Sequence, residues 1–346
     1  MSVQTYDRSR SPVTASGAAL AASFEVDVVR CRAVARELTE AGLFQPAAGT
    51  ATAPDSTKRW RLAASPFWLS AAEAAFFEQL GAHLQAFYLA VNQLYHASRK
   101  GQQPEWVRRY FDQGKPEPVI DYGRMSRFKA RLPGVIRPDL IPLPLQTARS
   151  GPALAMTELD AVPGGIGLTA ALARAYTHGG ATGIIGGLDG MIDGFGAMIR
   201  AAIAQHRSHA DVGAQHAAPL LAIVVSEESQ DYRAEMRWLA AQLRQRGHRA
   251  VTVAPEEVRF TEHQLECDID GRSERIDVLY RFFELFDLKN IPKTELFLYA
   301  AKKGLVAMTP PPKTYLEEKS AFALLHHPAL RSFWRSALPA ETLALL

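Results

Sequence analysis

The chain has 346 residues, of which 47% are hydrophobic and 22% charged, and its formal net charge is +3. This length and composition allow two or three modest domains and exclude general disorder, while the small net charge does not imply a polyanionic partner. Cys31 and Cys267 provide no disulfide framework, and no run approaches the roughly 18 apolar residues of a membrane span. The sequence therefore predicts a cytoplasmic protein with no membrane partner.

The first hundred residues predict a tail, a linker and two helices. Clusters of Ser, Thr, Ala and Pro at 9–16 and 45–57 indicate the tail and the linker, with one helix over 24–43 between them. Residues 70–99 carry apolar side chains at helical spacing. This spacing predicts a core stripe made of Phe76, Phe77, Leu80, Leu84, Phe87, Leu89, Val91 and Leu94. We expect this helix to form a layer against the sheet that follows.

A short basic stretch with interleaved aromatic residues follows at 122–131. Its members are Tyr122, Arg124, Arg127, Phe128, Lys129 and Arg131. Three interpretations are open: a solvated helix face, a contact to an anionic substrate or to ATP phosphate, and a nucleic-acid contact. Because the cluster is short, we do not expect nucleic acid to be a partner.

Two acidic segments come next, and they are predicted to pair. The sequence VIRPDLI at 135–141 and the strand at 153–160 are separated by the turn-prone RSGP at 149–152. Glu158 and Asp160 lie at i and i+2 of a strand and therefore face the same side, with Leu159 facing the core. Antiparallel pairing would bring Asp139 to them. Mg²⁺ favours such carboxylates, although a solvated strand end before a turn is the alternative interpretation.

The segment after residue 165 is rich in glycine and then in histidine. The glycines at 179–196 predict a mobile loop or a closely packed turn, with phosphate binding as the alternative. His206, His209 and His216 have no cysteine or carboxylate at ligand spacing, so this segment predicts a linker.

From residue 219 onward, strand and helix patterns alternate, which predicts a mainly parallel sheet. The expected elements are a buried strand at 219–225, a helix at 232–246, a strand at 250–253, a hairpin of 264–269 with 275–282 around Asp270-Gly271, a helix at 291–303 and a strand at 305–308.

The two acidic segments resemble the end of the ATP-grasp catalytic domain. The motifs are RPD at 137–139 and ELDAVPGG at 158–165, and D-alanine–D-alanine ligases show a similar pattern. The resemblance implies that Asp139, Glu158 and Asp160 hold magnesium and that Arg137 faces the transferred phosphate or the acyl-phosphate. Asp160 stands where the family usually has Asn.

The order of the segments resembles the circularly permuted ATP-grasp proteins, a group related to glutathionylspermidine synthases. The similarity extends from about residue 106 to the C-terminus, and it includes VLYRFF at 278–283 and the segment from TPPPK to LEEK at 309–319. It implies that a lysine of the last segment lies near the nucleotide site. Lys319 is the candidate and Lys313 is the alternative.

The fold class expected from these features is α/β, and α+β overall. It comprises a helical N-terminal layer, an ATP-grasp-type antiparallel sheet portion and a Rossmann-like pre-ATP-grasp domain. The expected domains are residues 1–60 (tail, helix and linker), 61–212 (helical layer and metal-ligand sheet), 213–312 (Rossmann-like) and 313–346 (start of a nucleotide-binding lobe).

The resemblance implies an ATP- and Mg-dependent carboxylate–amine ligase that joins a small-molecule carboxylate to an amine through an acyl-phosphate. The sequence stops on an apolar run at 338–346, which is an unlikely surface for a finished domain, and in the permuted family the remaining ATP-grasp strands would follow it. We therefore expect an incomplete chain, inactive alone, with a separate chain supplying the remaining lobe. The alternative is a non-catalytic binding or assembly module that keeps the fold.

Overall fold

The computed structural model describes residues 17–44, 61–143, 154–207 and 218–346. Within these residues the chain is a mixed α/β protein with one parallel and two antiparallel sheets. No helix in this part of the chain is long and apolar enough to cross a membrane. Several features expected from the sequence lie outside the described residues: the tail at 9–16, the linker at 45–57, the turn at 149–152, His209 and His216.

The helical layer begins the described part of the chain. It consists of α1 (Gly17–Glu40), α2 (Ala71–Arg99), α3 (Glu105–Asp112) and α4 (Glu117–Arg124). Ser70 fixes the start of α2, because its hydroxyl accepts from the Glu73 backbone N–H at 3.2 Å. The Glu73 carboxylate accepts in return from the Ser70 N–H at 2.7 Å. This capping box satisfies two backbone donors that the helix itself cannot use.

The apolar stripe of α2 forms core, as predicted, except at one position. Its buried members are Leu80, Leu84, Phe87, Val91 and Leu94, and Phe76 and Phe77 pack at the edge of the same cluster. Leu89 remains 43% exposed. Two residues along a helix correspond to a rotation of about 200°, so Leu89 faces away from Phe87 and Val91.

An antiparallel ribbon follows the helical layer. It is formed by β1 (Arg137–Pro142) and β2 (Leu154–Asp160), with Asp139 opposite Glu158. The pairing predicted for these segments is therefore confirmed. Leu159 is buried and joins the same apolar cluster as α2, so the helical layer packs against one face of the ribbon.

The glycine-rich stretch is more helical than its composition indicates. α5 (Ile166–His178) begins directly after Gly165, and α6 (Gly190–Arg207) contains Gly194 and Gly196. The predicted loop is correct only for the residues between the two helices. Apolar side chains of α6, including Ile192 and Phe195, are buried against the parallel sheet. This burial outweighs the helix-propensity cost of about 1 kcal/mol for each glycine.

Four parallel strands form the central sheet, as the alternating pattern predicted. In spatial order they are β4, β3, β8 and β9. The elements from residue 220 to 309 are β3 (Leu220–Val225), α7 (Arg233–Gln245), β4 (Arg249–Val253), β5 (Arg259–Phe260), β6 (Leu265–Ile269), β7 (Arg272–Arg275), β8 (Val278–Phe282), α8 (Thr294–Lys303) and β9 (Ala307–Thr309).

The predicted hairpin is wrong in its second strand. β6 pairs with the short β7 across Asp270 and Gly271, and β5, β6 and β7 form a separate antiparallel sheet. β8 belongs instead to the parallel sheet. The chain passes from one sheet to the other within two residues. The Ile276 N–H still donates to Leu265 O of β6, and the next N–H, of Asp277, donates to Leu220 O of β3.

The strand order creates a topological switch point between β3 and β8. The chain goes from β3 to β4 on one side and then returns to β8 on the other side of β3. Helices α5, α6 and α7 cover one face of the sheet, and α8 packs on the other. In open parallel sheets of this kind, ligands bind in the crevice beyond the carboxyl ends of the two strands at the switch point.

The last segment returns to the helical layer. It contains α9 (Ala321–Leu325), α10 (Arg331–Ala337) and α11 (Ala340–Leu345). Trp334 and Leu338 are buried in the α2 cluster, and Leu343 and Leu346 pack against it. The apolar run at 338–346 is therefore packed largely against α2, with Leu345 remaining 40% exposed.

Candidate functional site

Four charged residues share one face of the β1–β2 ribbon. Arg137 lies opposite Asp160, and Asp139 lies opposite Glu158. Side chains of directly opposed residues in an antiparallel pair project to the same side, with Cβ atoms about 4.5–5.5 Å apart. The alternation of each strand places Leu159 on the other face, toward α2. The ribbon therefore brings together all four residues that the sequence singled out there.

Basic side chains pair with each of the three carboxylates. Arg137 Nε donates to Asp139 Oδ1 at 2.8 Å, and Arg137 Nη2 lies 3.4 Å from Asp160 Oδ2. Lys319 Nζ forms an ion pair with Glu158 Oε1 at 2.8 Å. Lys319, the lysine expected near the nucleotide site, is thus in direct contact with the predicted metal-ligand set.

The ribbon face carries three carboxylates and two cationic side chains, so it is negatively charged overall. Burial raises the pKa of Asp160, against the Val162 N–H and Arg137, which lower it. Glu158 and Asp139 add to the increase through repulsion. The hydrogen bond to Glu158 raises the pKa of Lys319. Additional positive charge at this face would relieve the remaining repulsion.

Two acidic residues that the sequence did not single out border the same face. Burial raises the pKa of Glu284 to about 7, with further contributions from Glu317 and Asp160. Glu317 pairs with the fully buried Arg281 and accepts from the Leu285 N–H at 3.1 Å. Glu284 lies just beyond the carboxyl end of β8. Its position directly after the strand motif VLYRFF was the available signal, because this is where a parallel sheet presents ligand-binding residues.

Glu235 joins the ribbon to the carboxyl edge of the parallel sheet. Its carboxylate accepts from the backbone N–H groups of Gly165 at 2.6 Å and Leu168 at 3.0 Å, at the start of α5. Such a carboxylate satisfies backbone donors that the first turn leaves unpaired. Arg137 Nη1 donates to Gly164 O at 3.1 Å on the same loop. Glu235 and Arg137 therefore hold this loop from two sides.

Glycine at residue 164 leaves room for the close approach of the Tyr232 ring. A Cβ at residue 164 would lie 2.3 Å from the Tyr232 ring, which no real contact allows. Tyr232 follows β3, and its ring packs edge-on against Phe282 at the end of β8. The glycine of the predicted motif thus serves to bring the ribbon loop onto the switch point.

Lys313 lies apart from the carboxylates. Its Nζ donates to Asn92 Oδ1 at 2.7 Å, to Lys129 O at 3.0 Å and to Arg131 O at 2.6 Å. These contacts use all three donors of the ammonium group. Burial lowers the pKa of Lys313 to about 7. Its contacts are those of a structural lysine, so Lys319 is the better placed of the two candidates.

The ribbon face is suited in chemistry to a hard divalent cation. The acidic side chains on this face offer carboxylate oxygens, which Mg²⁺ prefers, and Mg²⁺ usually takes only one or two protein carboxylates beside phosphate oxygens. In the described residues, no group of three or more His, Cys, Asp or Glu side chains is arranged to hold a metal ion. The cross-strand pair Asp139 and Glu158 is the part of the set that fits such a site, and its oxygens are at present paired with Arg137 and Lys319.

The chain was compared with protein-family models and with curated proteins, and neither comparison finds a match.

Proposed function

We propose that this chain is part of an ATP- and Mg²⁺-dependent carboxylate–amine ligase of the ATP-grasp kind. In such a reaction ATP phosphorylates a carboxylate, and an amine then attacks the acyl-phosphate to give an amide. The β1–β2 ribbon would be the phosphate-facing part of the ATP-grasp sheet, and the parallel sheet would be the Rossmann-like domain. The observation that carries the proposal is the shared ribbon face of Arg137, Asp139, Glu158 and Asp160.

Arg137 is the residue assigned to the transferred phosphate. Its guanidinium is oriented by Asp139, Asp160 and the Gly164 carbonyl, yet its side chain remains 41% exposed. A guanidinium held by three fixed acceptors is preorganised, so it can meet developing negative charge without rearrangement. Its planar donors match the geometry of a phosphoryl group.

Asp139 and Glu158, with Asp160 beside them, are assigned to magnesium. When bound, Mg²⁺ neutralises charge on the β- and γ-phosphates of the nucleotide. Lys319 is assigned to the nucleotide side of the site, because it contacts Glu158 and its side chain is 63% exposed. Phosphate groups would compete with Glu158 for the ammonium of Lys319, which would free a carboxylate oxygen for the metal.

A binding or assembly module without catalysis is the second candidate. The observation that favours it is the pairing of all three ribbon carboxylates with basic side chains of this chain. Each carboxylate of this face thus has a cationic partner without a metal. The two candidates differ in whether the face takes up a divalent cation together with ATP.

Metal titration separates the two candidates. Mn²⁺ replaces Mg²⁺ as a paramagnetic probe, and its binding is followed by electron paramagnetic resonance with and without ATP. The ligase proposal expects weak binding that strengthens when ATP is added, and Glu158→Gln should weaken it by about tenfold or more. Glu117→Gln is the matched control, because this glutamate has an exposed side chain on α4.

Lys319→Met sharpens the test. Removing the ammonium frees Glu158, so Mn²⁺ should bind more tightly in the absence of ATP, while the strengthening by ATP should diminish. The binding module would be favoured if Glu158→Gln left the Mn²⁺ affinity unchanged. It would also be favoured if no metal bound in the presence of ATP. Under the ligase proposal, the chain together with the remaining ATP-grasp lobe should hydrolyse ATP only when both a carboxylate and an amine are present.

A further inference from the structure

Three arginines and a histidine surround the amino-terminal edge of the parallel sheet, opposite the ribbon. The guanidinium of Arg127 lies against Gly304, where a Cβ would be 2.5 Å from Nη1. Gly304 ends α8 and precedes β9. Arg131 Nη2 donates to Gln205 O at 3.1 Å, next to His206 near the end of α6. Arg275 ends β7, and it pairs at 3.4 Å with Asp277, which accepts from the first N–H of β3.

The basic stretch seen in the sequence is divided by its ion pairs. Arg124 is neutralised within the helical layer by Asp112 at 2.6 Å, with Glu117 and Asp121 nearby. In the described part of the chain, by contrast, no carboxylate lies within ion-pair distance of Arg127 or Arg131. The Nη1 atom of Arg127 is buried and has no hydrogen-bond partner there. A buried guanidinium donor without an acceptor is costly, and an anion bound here would satisfy it.

Mutual repulsion within this cluster supports the same conclusion. Burial and then Arg127 lower the pKa of Arg131. Burial lowers the pKa of His206 to about 4, with Arg131, Arg127 and Arg275 adding to the decrease. The acidic group Asp277 raises the pKa of His206. Three guanidinium groups facing one carboxylate leave an excess of positive charge.

We propose that Arg127, Arg131, His206 and Arg275 form a binding site for a phosphate group, either inorganic phosphate or a phosphomonoester. A phosphate dianion balances the excess charge of the cluster, and guanidinium forks bind its oxygens in a bidentate manner. The site is distinct from the ribbon face. The two lie at opposite ends of the parallel strands, roughly 16 Å apart along the five residues of β8. The proposal therefore does not depend on the ligase function.

Calorimetric titration tests this site on the full chain slightly above neutral pH. Inorganic phosphate is the first ligand, and sulfate and acetate are the comparators. We expect saturable phosphate binding that Arg127→Gln and Arg131→Gln each weaken by about tenfold or more. Arg109→Gln removes the same charge from an exposed position on α3, and it should leave binding unchanged. Thermal melting of each variant verifies folding, and Arg127→Lys keeps the charge should Arg127→Gln fail to fold.

The histidine provides a second and independent measurement. An anion beside His206 favours the protonated imidazole, so phosphate should raise its pKa from about 4. Nuclear magnetic resonance of the imidazole, identified with His206→Gln, follows this shift. Equal binding in wild type, Arg131→Gln and Arg109→Gln, or an unchanged His206 titration at saturating phosphate, would overturn the proposal.

Methyl phosphate distinguishes the two sources of the ligand. If methyl phosphate bound at least as tightly as inorganic phosphate, the site would be one for phosphomonoesters. If methyl phosphate did not bind, the site would be one for free phosphate. A single-stranded oligonucleotide is the remaining competitor. If it bound while both small phosphates failed, the proposal of a small-ligand site would be wrong.

Discussion

Replacing Glu235 by alanine tests how the ribbon is joined to the parallel sheet. The carboxylate accepts two hydrogen bonds, from the N–H groups of Gly165 and Leu168, and the side chain is 5% exposed. Hydrogen bonds to a charged group contribute about 1.5–3 kcal/mol each, so the two together contribute about 3–6 kcal/mol. Burial of the carboxylate, which raises the pKa of Glu235, offsets part of this. We expect Glu235→Ala to lower the free energy of unfolding by about 2–4 kcal/mol.

Urea denaturation measures the loss of stability, and amide hydrogen exchange locates it. The Gly165 and Leu168 amides should lose protection first, because they lose their acceptor. Arg237→Ala is the control, since it truncates an exposed side chain on the same helix. A loss below about 1 kcal/mol, within the range of ordinary surface substitutions, with unchanged exchange at both amides would refute this account of the junction.

Three further predictions concern pH and packing. Burial raises the folded-state pKa of Glu284 from 4.5 to about 7, so the contribution of Glu284 to stability decreases as pH rises from 4.5 to 7. Urea unfolding across this range should show Glu284→Gln gaining stability relative to the wild type as pH rises. Burial lowers the pKa of His96 and His206 from 6.5 to about 4, so the contribution of these histidines to stability decreases as pH falls from 6.5 to 4. The melting temperature of His96→Gln should therefore rise relative to that of the wild type as pH falls through this range. Gly164→Ala should destabilise the fold by about 1–3 kcal/mol through its clash with Tyr232, and the added change Tyr232→Ala should recover part of that loss; additive losses would contradict the clash.

The strands of the parallel sheet were predictable where burial is continuous. Leu220–Val225 is an uninterrupted apolar run between Pro219 and Ser226, and its assignment as a buried strand was correct. The hairpin partner was not predictable from the same kind of pattern. Residues 275–282 read as one extended segment, and only the exchange of hydrogen-bond partners at Ile276 and Asp277 divides it between two sheets.

The site residues on the two adjacent strands could be predicted from the sequence, whereas those contributed by distant elements could not. Carboxylates at i and i+2 face the same side of any strand, so Glu158 and Asp160 follow from spacing alone. Their pairing with Asp139 follows from the order of two adjacent strands. Glu235 and Glu284, however, reach the ribbon only through the topology of the parallel sheet. No local pattern encodes those contacts, because they join residues about 70 or more positions apart.

The packing of α2 against the C-terminal helices has a consequence for synthesis of the chain. The apolar stripe of α2 leaves the ribosome about 240 residues before Trp334, which covers it in the folded protein. At about 5–20 residues per second, this interval lasts roughly 10–50 s. During that time the stripe has no native cover from the C-terminal helices. Nascent chains should therefore depend on holdase chaperones until the last helices emerge, and slowed elongation should increase their aggregation.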